Sequence, residues 1–211
     1  MVLSLRDIVI AAVDENEWGP PTAFTSFHIY YVLELLSVGS MGRDRLANVI
    51  GVGCGTIKTV ISRLKNVGLV CSTKKGVTLT RRGREVWWWF EQVFPRRVEV
   101  SRNVLLSSEF NYGFVVKGQG GKVGSGIEQR DAAIIVGAER AVVFVVGQGG
   151  LHVATGGHHL CVERECVFAL REIWREIGSQ SEGDVVVIAG ARSFLKAKMG
   201  AFAAAWSLLG D

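Results

Sequence analysis

Cations and hydroxyl groups are concentrated in one stretch of the sequence, from residue 41 to residue 84. This stretch carries ten Lys or Arg residues against a single acidic residue, Asp44, so its formal charge is +9, whereas the rest of the chain sums to −5. Cations without acidic neighbours are the groups that bind the phosphates of nucleic acid, and hydroxyl groups can bind phosphates or base edges. We therefore predict that double-stranded DNA is the ligand of this stretch.

Two short helices and a hairpin must position these side chains. In the second helix, about residues 54–67, Ile57, Val60, Ile61 and Leu64 recur at i, i+3, i+4 and i+7, and the opposite face carries the donors. The glycine-containing turn 51–53 joins this helix to the preceding one, which is typical of a helix-turn-helix. Two β-prone runs flank Lys74-Lys75-Gly76 and predict a hairpin, or wing, at 72–78.

The predicted recognition helix at 54–67 has the dimensions that fit the major groove. We expect base contacts from Thr56, Thr59 and Arg63, phosphate contacts from Lys58, Ser62 and Lys65, backbone contacts from Arg43 and Arg45, and minor-groove or phosphate contacts from Lys74 and Lys75. The alternative is a winged helix that recruits proteins of the transcription machinery and whose basic face is merely solvated.

An aromatic run, Trp87-Trp88-Trp89-Phe90, lies in a predicted helix that follows Thr80. Four consecutive side chains at about 100° each sweep most of the helix circumference, so we expect this helix to be buried on all sides. The winged unit can cover only one side. The remainder is expected to pack against the second domain or a second copy of the chain, and a homodimer is the sharper hypothesis.

The segment Phe94-Pro95-Arg96-Arg97 predicts a boundary between a DNA-binding domain at 1–96 and a second domain at 97–211. A chain of 211 residues has room for two small domains. In the second, strands are predicted at 98–106, 111–117, 141–146, 151–154 and 184–189, and helices at 127–137, 161–177 and 192–209. This order predicts a mixed α/β domain, and an α+β fold for the whole chain.

A glycine run at 118–126 follows a predicted strand and precedes a predicted helix, so its amides could hold an anion. It matches neither a Walker motif nor a dinucleotide fingerprint, and a flexible loop or tight hairpin is the alternative. We expect a small anionic or nucleotide-like effector between this run and the turn at Gly190-Ala191-Arg192, where it would alter the geometry of a dimer. The predicted ligand set is Lys117, Gly120, Gly121, Lys122, Gln129, Arg130, Asp131 and Arg192. Arg130 and Asp131 could instead form a surface network.

Metal and catalytic sites are not predicted. His158 and His159 are adjacent, so their side chains diverge, and the spacing of Cys161 and Cys166 is not that of a zinc site. No paired-carboxylate site, nucleophile elbow or Walker motif is present, so we predict neither an enzyme nor a cofactor, with an activity in the second domain as the alternative. The cysteines suggest no disulfide framework, and no apolar run reaches transmembrane length, which indicates a cytoplasmic protein without membrane contact.

The sequence resembles a known family in GPPTAFTSFHIYYVLELLSVGSMGRDRLANVIGVGCGTIKTVISRLKNVGLV, in VTLTRRGREV, in SGIEQRDAAIIVGA and in DVVVIAGARSFLKAKMGAFAAA. It is similar to archaeal transcriptional regulators in which a winged helix precedes an uncharacterised α/β domain. The resemblance covers nearly the whole chain and implies DNA binding. It implies no chemistry for the second domain.

Overall fold

The computed structural model describes residues 5–13, 23–154, 164–178 and 180–210. It divides into two compact units, Met1–Phe90 and Glu91–Asp211. The boundary predicted after Arg96 falls within a strand, Arg96–Glu99, of the second unit. The chain mixes helices and strands in both units, in agreement with an α+β fold.

The first unit contains helices α1 (Leu5–Val13), α2 (Ser26–Val38), α3 (Arg43–Ile50) and α4 (Cys54–Asn66), the antiparallel hairpin of β1 (Val70–Thr73) and β2 (Gly76–Leu79), and the start of α5 (Arg81–Val93). Its core is built from the apolar stripes of the helices, with Leu33, Leu46, Ile57 and Leu64 fully buried. Helix α2 begins after Thr25, whose amide donates to Nδ1 of His28 at 2.9 Å. His28 therefore has a structural role at this helix terminus.

The β1–β2 hairpin is held against Met41, in the short segment that precedes α3. Met41 and Val77 exchange two backbone hydrogen bonds of 2.9 and 3.0 Å. Gly76 has φ +120°, and a Cβ there would lie 2.6 Å from the carbonyl oxygen of Met41, so only glycine fits. This contact fixes the hairpin beside α3 and α4.

Within a single chain, helix α5 buries only part of its aromatic run, and the covering of the remainder by a second copy stays a prediction. Trp87 and Phe90 are buried, and their rings lie 5.9 and 5.2 Å from the ring of Tyr30 in α2. Trp88 is 61% exposed. Positions i and i+3 share the core-facing side of a helix, whereas the residue after Trp87 is rotated by about 100° toward solvent.

The second unit is built on one five-stranded antiparallel sheet in the order β3-β4-β7-β5-β6. The strands are β3 (Arg96–Glu99), β4 (Phe110–Val116), β5 (Arg140–Gly147), β6 (Gly150–Val153) and β7 (Val185–Ala191), and the helices are α6 (Ile127–Ile135), α7 (Arg164–Ile177) and α8 (Phe194–Ser207). The central strand β7 is buried at every residue. Side chains covered on both sheet faces explain why its sequence is a continuous apolar run.

Helices cover both faces of this sheet. On one face, Ile173 and Ile177 of α7 share a core with Val115, Phe144 and Val186 of the sheet. On the other face, α8 packs on β4 and β7, and α6 packs on α8 and β5. Alternate residues of β4 serve the two sides, since Phe114, next to Val115, has its ring 6.0 Å from that of Phe202 in α8.

The cysteines differ from the sequence expectation at one position. Cys54 and Cys71 are free thiols, whereas Cys166 is disulfide-bonded. The residues His158, His159 and Cys161, for which no metal site was predicted, lie outside the described residues. Within the described part of the chain, no group of three His, Cys, Asp or Glu side chains is placed to hold a metal ion, and no helix has the length and apolar character to cross a membrane.

Candidate nucleic-acid interface

One groove gathers half of the residues predicted to contact DNA. It has a volume of about 500 Å³ and lies between the start of α3, the outer side of α4 and the β1–β2 hairpin. The predicted contact residues that line it are Arg43, Lys58, Ser62, Lys65 and Lys74. No acidic residue is among the described residues that line the groove, so four cations share it without a carboxylate.

The local sequence explains why α4 presents this side outward. Ile57, Val60, Ile61 and Leu64 are buried in the core of the first unit, which leaves Lys58, Ser62 and Lys65 on the exposed side of the helix. Spacings of three, four and seven residues bring these three side chains onto one face. Ile61 and Val77 form an apolar part of the groove wall, and Ser72 and Thr73 of the hairpin add hydroxyl groups to it.

Both helices that border the groove begin at a glycine, α3 after Gly42 and α4 after Gly53. Glycine has no side chain to cap a helix, so the first-turn amides of α3 and α4 donate no hydrogen bond to a capping side chain. Such amides carry partial positive charge and donate readily to phosphate oxygens. The backbone therefore adds to the positive potential that the lysines and arginines create.

The other predicted contact residues surround the groove without lining it. Arg45, Thr59 and Lys75 are exposed, and Thr56 is half-buried. The Thr59 hydroxyl donates to the carbonyl oxygen of Gly55 at 3.2 Å, which leaves its oxygen lone pairs facing solvent.

Arg63 is a correction to the predicted contact set. It is only 8% exposed, its guanidinium donates to the carbonyl oxygen of Val13 in α1, and its charge centre lies 5.0 Å from the ring centre of Phe24. Arg63 is on the α4 side that faces α1, so it holds two helices together and does not reach the exposed side where DNA would bind. The sequence pattern missed this because α1 is fifty residues earlier in the chain.

Three further arginines of the basic stretch also have partners within the protein. The Arg82 guanidinium donates to the carbonyl oxygen of Val67 at 3.1 Å, and that of Arg84 donates to the carbonyl oxygen of Leu79 at 3.2 Å. Arg81 forms an ion pair of 3.2 Å with Glu85 on the same helix. The cations at the start of α5 are thus engaged with the first unit itself, and those available to a ligand are on α3, α4 and the hairpin.

The residues predicted to hold a small anion in the second unit do not form one site. Val116 of β4 pairs with Val185 at the start of β7, so the following glycine run lies at that end of the strand. Arg192 follows Ala191 at the other end of β7. Seven strand residues separate the two turns by about 20 Å, so a small effector cannot contact both.

Most of these residues also have partners in the protein. Lys122 donates from Nζ to the carbonyl oxygen of Gly210 at 2.7 Å, and Arg192 pairs with Glu139 at 2.8 Å. Arg130 pairs with Asp131 at 3.0 Å, which is the surface network that the sequence left open as an alternative. Gln129 is buried, whereas Lys117 is exposed.

The glycine run is a closed turn. The Gly120 amide donates to the carbonyl oxygen of Gly183 at 2.8 Å, and the amides of Lys122 and Gly126 donate to carbonyl oxygens within the run at 3.0 Å each. Gly121 is exposed. Because the inward amide is already bonded, the run does not form the cradle of free amides that was predicted, and we remove it from the candidate ligand site.

Comparison with known proteins finds a family model and solved structures that resemble this chain. Residues 107–208 match the family model described as a domain of unknown function, DUF4443. A solved structure, the hypothetical protein PH0730 from Pyrococcus horikoshii OT3, superimposes with a TM-score of 0.68 and 23% sequence identity, over 88% of this chain and 92% of that chain. No curated protein matches the chain.

These matches fit an uncharacterised C-terminal domain, as the sequence resemblance implied, and the solved structure comes from an archaeon. At 23% identity the likeness shows a shared fold. Neither match carries a function from another protein to this one.

Proposed function

We propose that this protein is a transcriptional regulator that binds duplex DNA through an N-terminal winged helix-turn-helix. In this proposal α3 and α4 are the helix-turn-helix, α4 is the recognition helix, and the β1–β2 hairpin is the wing. The observation that carries the proposal is the groove between them, in which four cations converge without a carboxylate among the described lining residues. The protein acts by binding and not by chemistry.

The geometry suits a DNA backbone that passes through the groove. Arg43 at the start of α3, Lys58 and Lys65 on α4, and Lys74 on the hairpin border it from three sides. A phosphate there would also face the uncapped first turn of α3. With the backbone held in this way, the first turns of α4 would lie in the adjacent major groove, and Thr56 and Thr59 would face base edges.

Fluorescence anisotropy of the full-length chain with labelled duplex DNA, measured across a salt series, tests the proposal. The triple variant Lys58→Ala, Lys65→Ala, Lys74→Ala removes three phosphate contacts. We expect its affinity at 0.1 M salt to fall on the order of 100-fold, and its salt slope to become shallower by about 2.7, since each contact contributes about 0.9. The duplex upstream of the protein's own coding region is compared with a scrambled duplex of equal length.

A matched control removes three exposed cations of the second unit, in the variant Arg102→Ala, Lys117→Ala, Arg140→Ala. It has the same net charge as the groove variant and should bind DNA as the native chain does. An equal loss of DNA affinity in both variants would indicate attraction by net charge alone and would refute the groove as the DNA-binding site. Equal affinity of the native chain for both duplexes would support DNA binding but contradict a sequence-specific regulator.

The proposed regulator acts as a homodimer with α5 at its interface. Trp88 leaves a large apolar surface in water on this helix, and a second copy of the same face would cover it. A two-fold protein also matches the two-fold symmetry of common operators. Light scattering should show a dimer that Trp88→Ser converts to monomer, whereas Phe168→Ser, at a comparably exposed aromatic residue of the second unit, should leave it intact. A monomeric native chain at about 10 µM would refute this interface.

A further inference from the structure

A cavity in the second unit has the size and lining of a small-molecule site. It has a volume of about 830 Å³ and lies between the β5–β6 hairpin and α7. Small-molecule sites in proteins are typically about 300–1,000 Å³ and combine apolar walls with a few polar groups. None of the residues that the sequence predicted for a ligand lines this cavity.

The hairpin turn leaves this space open. Gly147, Gly149 and Gly150 line the cavity, and Gly149 and Gly150 have positive φ angles of 85° and 133°. Glycine accepts these angles and places no side chain in the turn. The cavity is therefore bounded on this side mainly by backbone, with Leu151 of β6 next to it.

Helix α7 supplies the remaining wall from one face. Leu170 and Trp174 are both half-buried and give an apolar surface at i and i+4. Arg171 follows Leu170 and Arg175 follows Trp174, so two guanidinium groups flank the same apolar surface. The sequence carries this signal as a repeated Leu/Trp-Arg pair at a spacing of four residues.

The two guanidinium groups are available to a ligand. In the described part of the chain, neither Arg171 nor Arg175 has an ion-pair or hydrogen-bond partner. Glu176 on the same helix accepts a hydrogen bond from the Ser101 amide and does not line the cavity. Glu182 is the one carboxylate among the described lining residues and is exposed, so the cavity carries one net positive charge.

We propose that this cavity binds a small organic anion. Its apolar body, of the size of one or two rings, lies against Leu170 and Trp174, and its anionic group is held by Arg171 and Arg175. Guanidinium groups bind carboxylate, sulfonate and phosphate oxygens through paired, charge-assisted hydrogen bonds, which are the strong ones. The Gln180 side-chain amide donates to the carbonyl oxygen of Ile177 at 2.9 Å, which leaves its own oxygen to accept from a ligand donor at the edge of the cavity. All of the described residues that line the cavity belong to the second unit.

Two fluorescent probes of the same shape test the charge requirement in the full-length protein. Anilinonaphthalene sulfonate is an aromatic anion, and phenylnaphthylamine is its neutral counterpart without the sulfonate. We expect saturable binding of the anionic probe with one site per chain. The neutral probe should bind at least about ten-fold more weakly, because it lacks the sulfonate and so loses the hydrogen bonds to a charged group that the anionic probe makes. The variant Arg171→Gln, Arg175→Gln should lose this preference.

Two further variants separate the cavity from other apolar surfaces. Arg102→Gln, Arg140→Gln has the same charge loss on exposed residues outside the cavity and should bind the anionic probe as the native chain does. Leu151→Trp should fill the cavity with a larger side chain and weaken the binding of both probes. Circular dichroism melting establishes that each variant is folded. Equal binding of the two probes by the native chain, or unchanged binding of the anionic probe by Arg171→Gln, Arg175→Gln, would overturn the proposal.

Discussion

The two surfaces for which sequence patterns predicted a ligand differ sharply in how well their residues come together. In the first unit, five residues from α3, α4 and the hairpin line one groove. In the second, the glycine run and Arg192 lie at opposite ends of β7, and a cavity formed by other residues lies beside α7. A site on one helix face is therefore predictable from residue spacing, whereas a site between strand ends depends on strand order.

The spacing of apolar residues along α4 determines which of its side chains line the groove. Once Ile57, Val60 and Leu64 are in the core, the geometry of a helix places Lys58, Ser62 and Lys65 outward. The position of the glycine run relative to Arg192 depends on β7 pairing with β4 on one side and β5 on the other, although 68 residues (117–184) separate β4 from β7 in the chain. No local pattern in the sequence contains that pairing.

Arg63 is the residue of α4 whose role the helix spacing did not predict. Arg63→Ala should lower the free energy of unfolding by about 2–3 kcal/mol, because it leaves the Val13 carbonyl oxygen without its donor and removes the contact with Phe24. Thermal melting measures the loss, and hydrogen exchange at α1 and α4 assigns it to the first unit. At a temperature where the variant is folded, its DNA affinity should remain within about three-fold of the native value.

Lys65→Ala on the same helix is the matched control for Arg63→Ala. Lys65 is exposed and lines the groove, so its loss should change stability by no more than about 0.5 kcal/mol. It should nevertheless weaken DNA binding and make the salt slope shallower by about 0.9. A stable Arg63→Ala variant with ten-fold weaker DNA binding would restore Arg63 to the contact set and show that α1 does not hold it in solution.

The sequence predicted the positions of helices and strands better than the contacts of individual side chains. Apolar spacing located α4, the hairpin, β4, β5, β7 and α8 to within a few residues, because buried faces repeat with the period of the element. It could not tell a cation available to a ligand from one that bonds a carbonyl oxygen of another element, as Arg63 and Arg82 do. Counting apolar side chains around α5 likewise does not say which of them, such as Trp88, the fold of a single chain leaves in water.

A smaller effect tests whether the glycine run of the second unit is structural. A Cβ on Gly120 would lie 2.9 Å from the carbonyl oxygen of Gly183 and 3.1 Å from Cγ1 of Val145, whereas a Cβ on Gly121 would meet nothing within 4 Å. Gly120→Ala should therefore lower the free energy of unfolding by about 1–2 kcal/mol through overpacking, and Gly121→Ala should change it by no more than about 0.5 kcal/mol. Urea unfolding followed by hydrogen exchange at β7 measures both. If the run were an anion cradle instead, both substitutions would leave stability unchanged and weaken the binding of inorganic phosphate, and that result would restore the site that the sequence predicted.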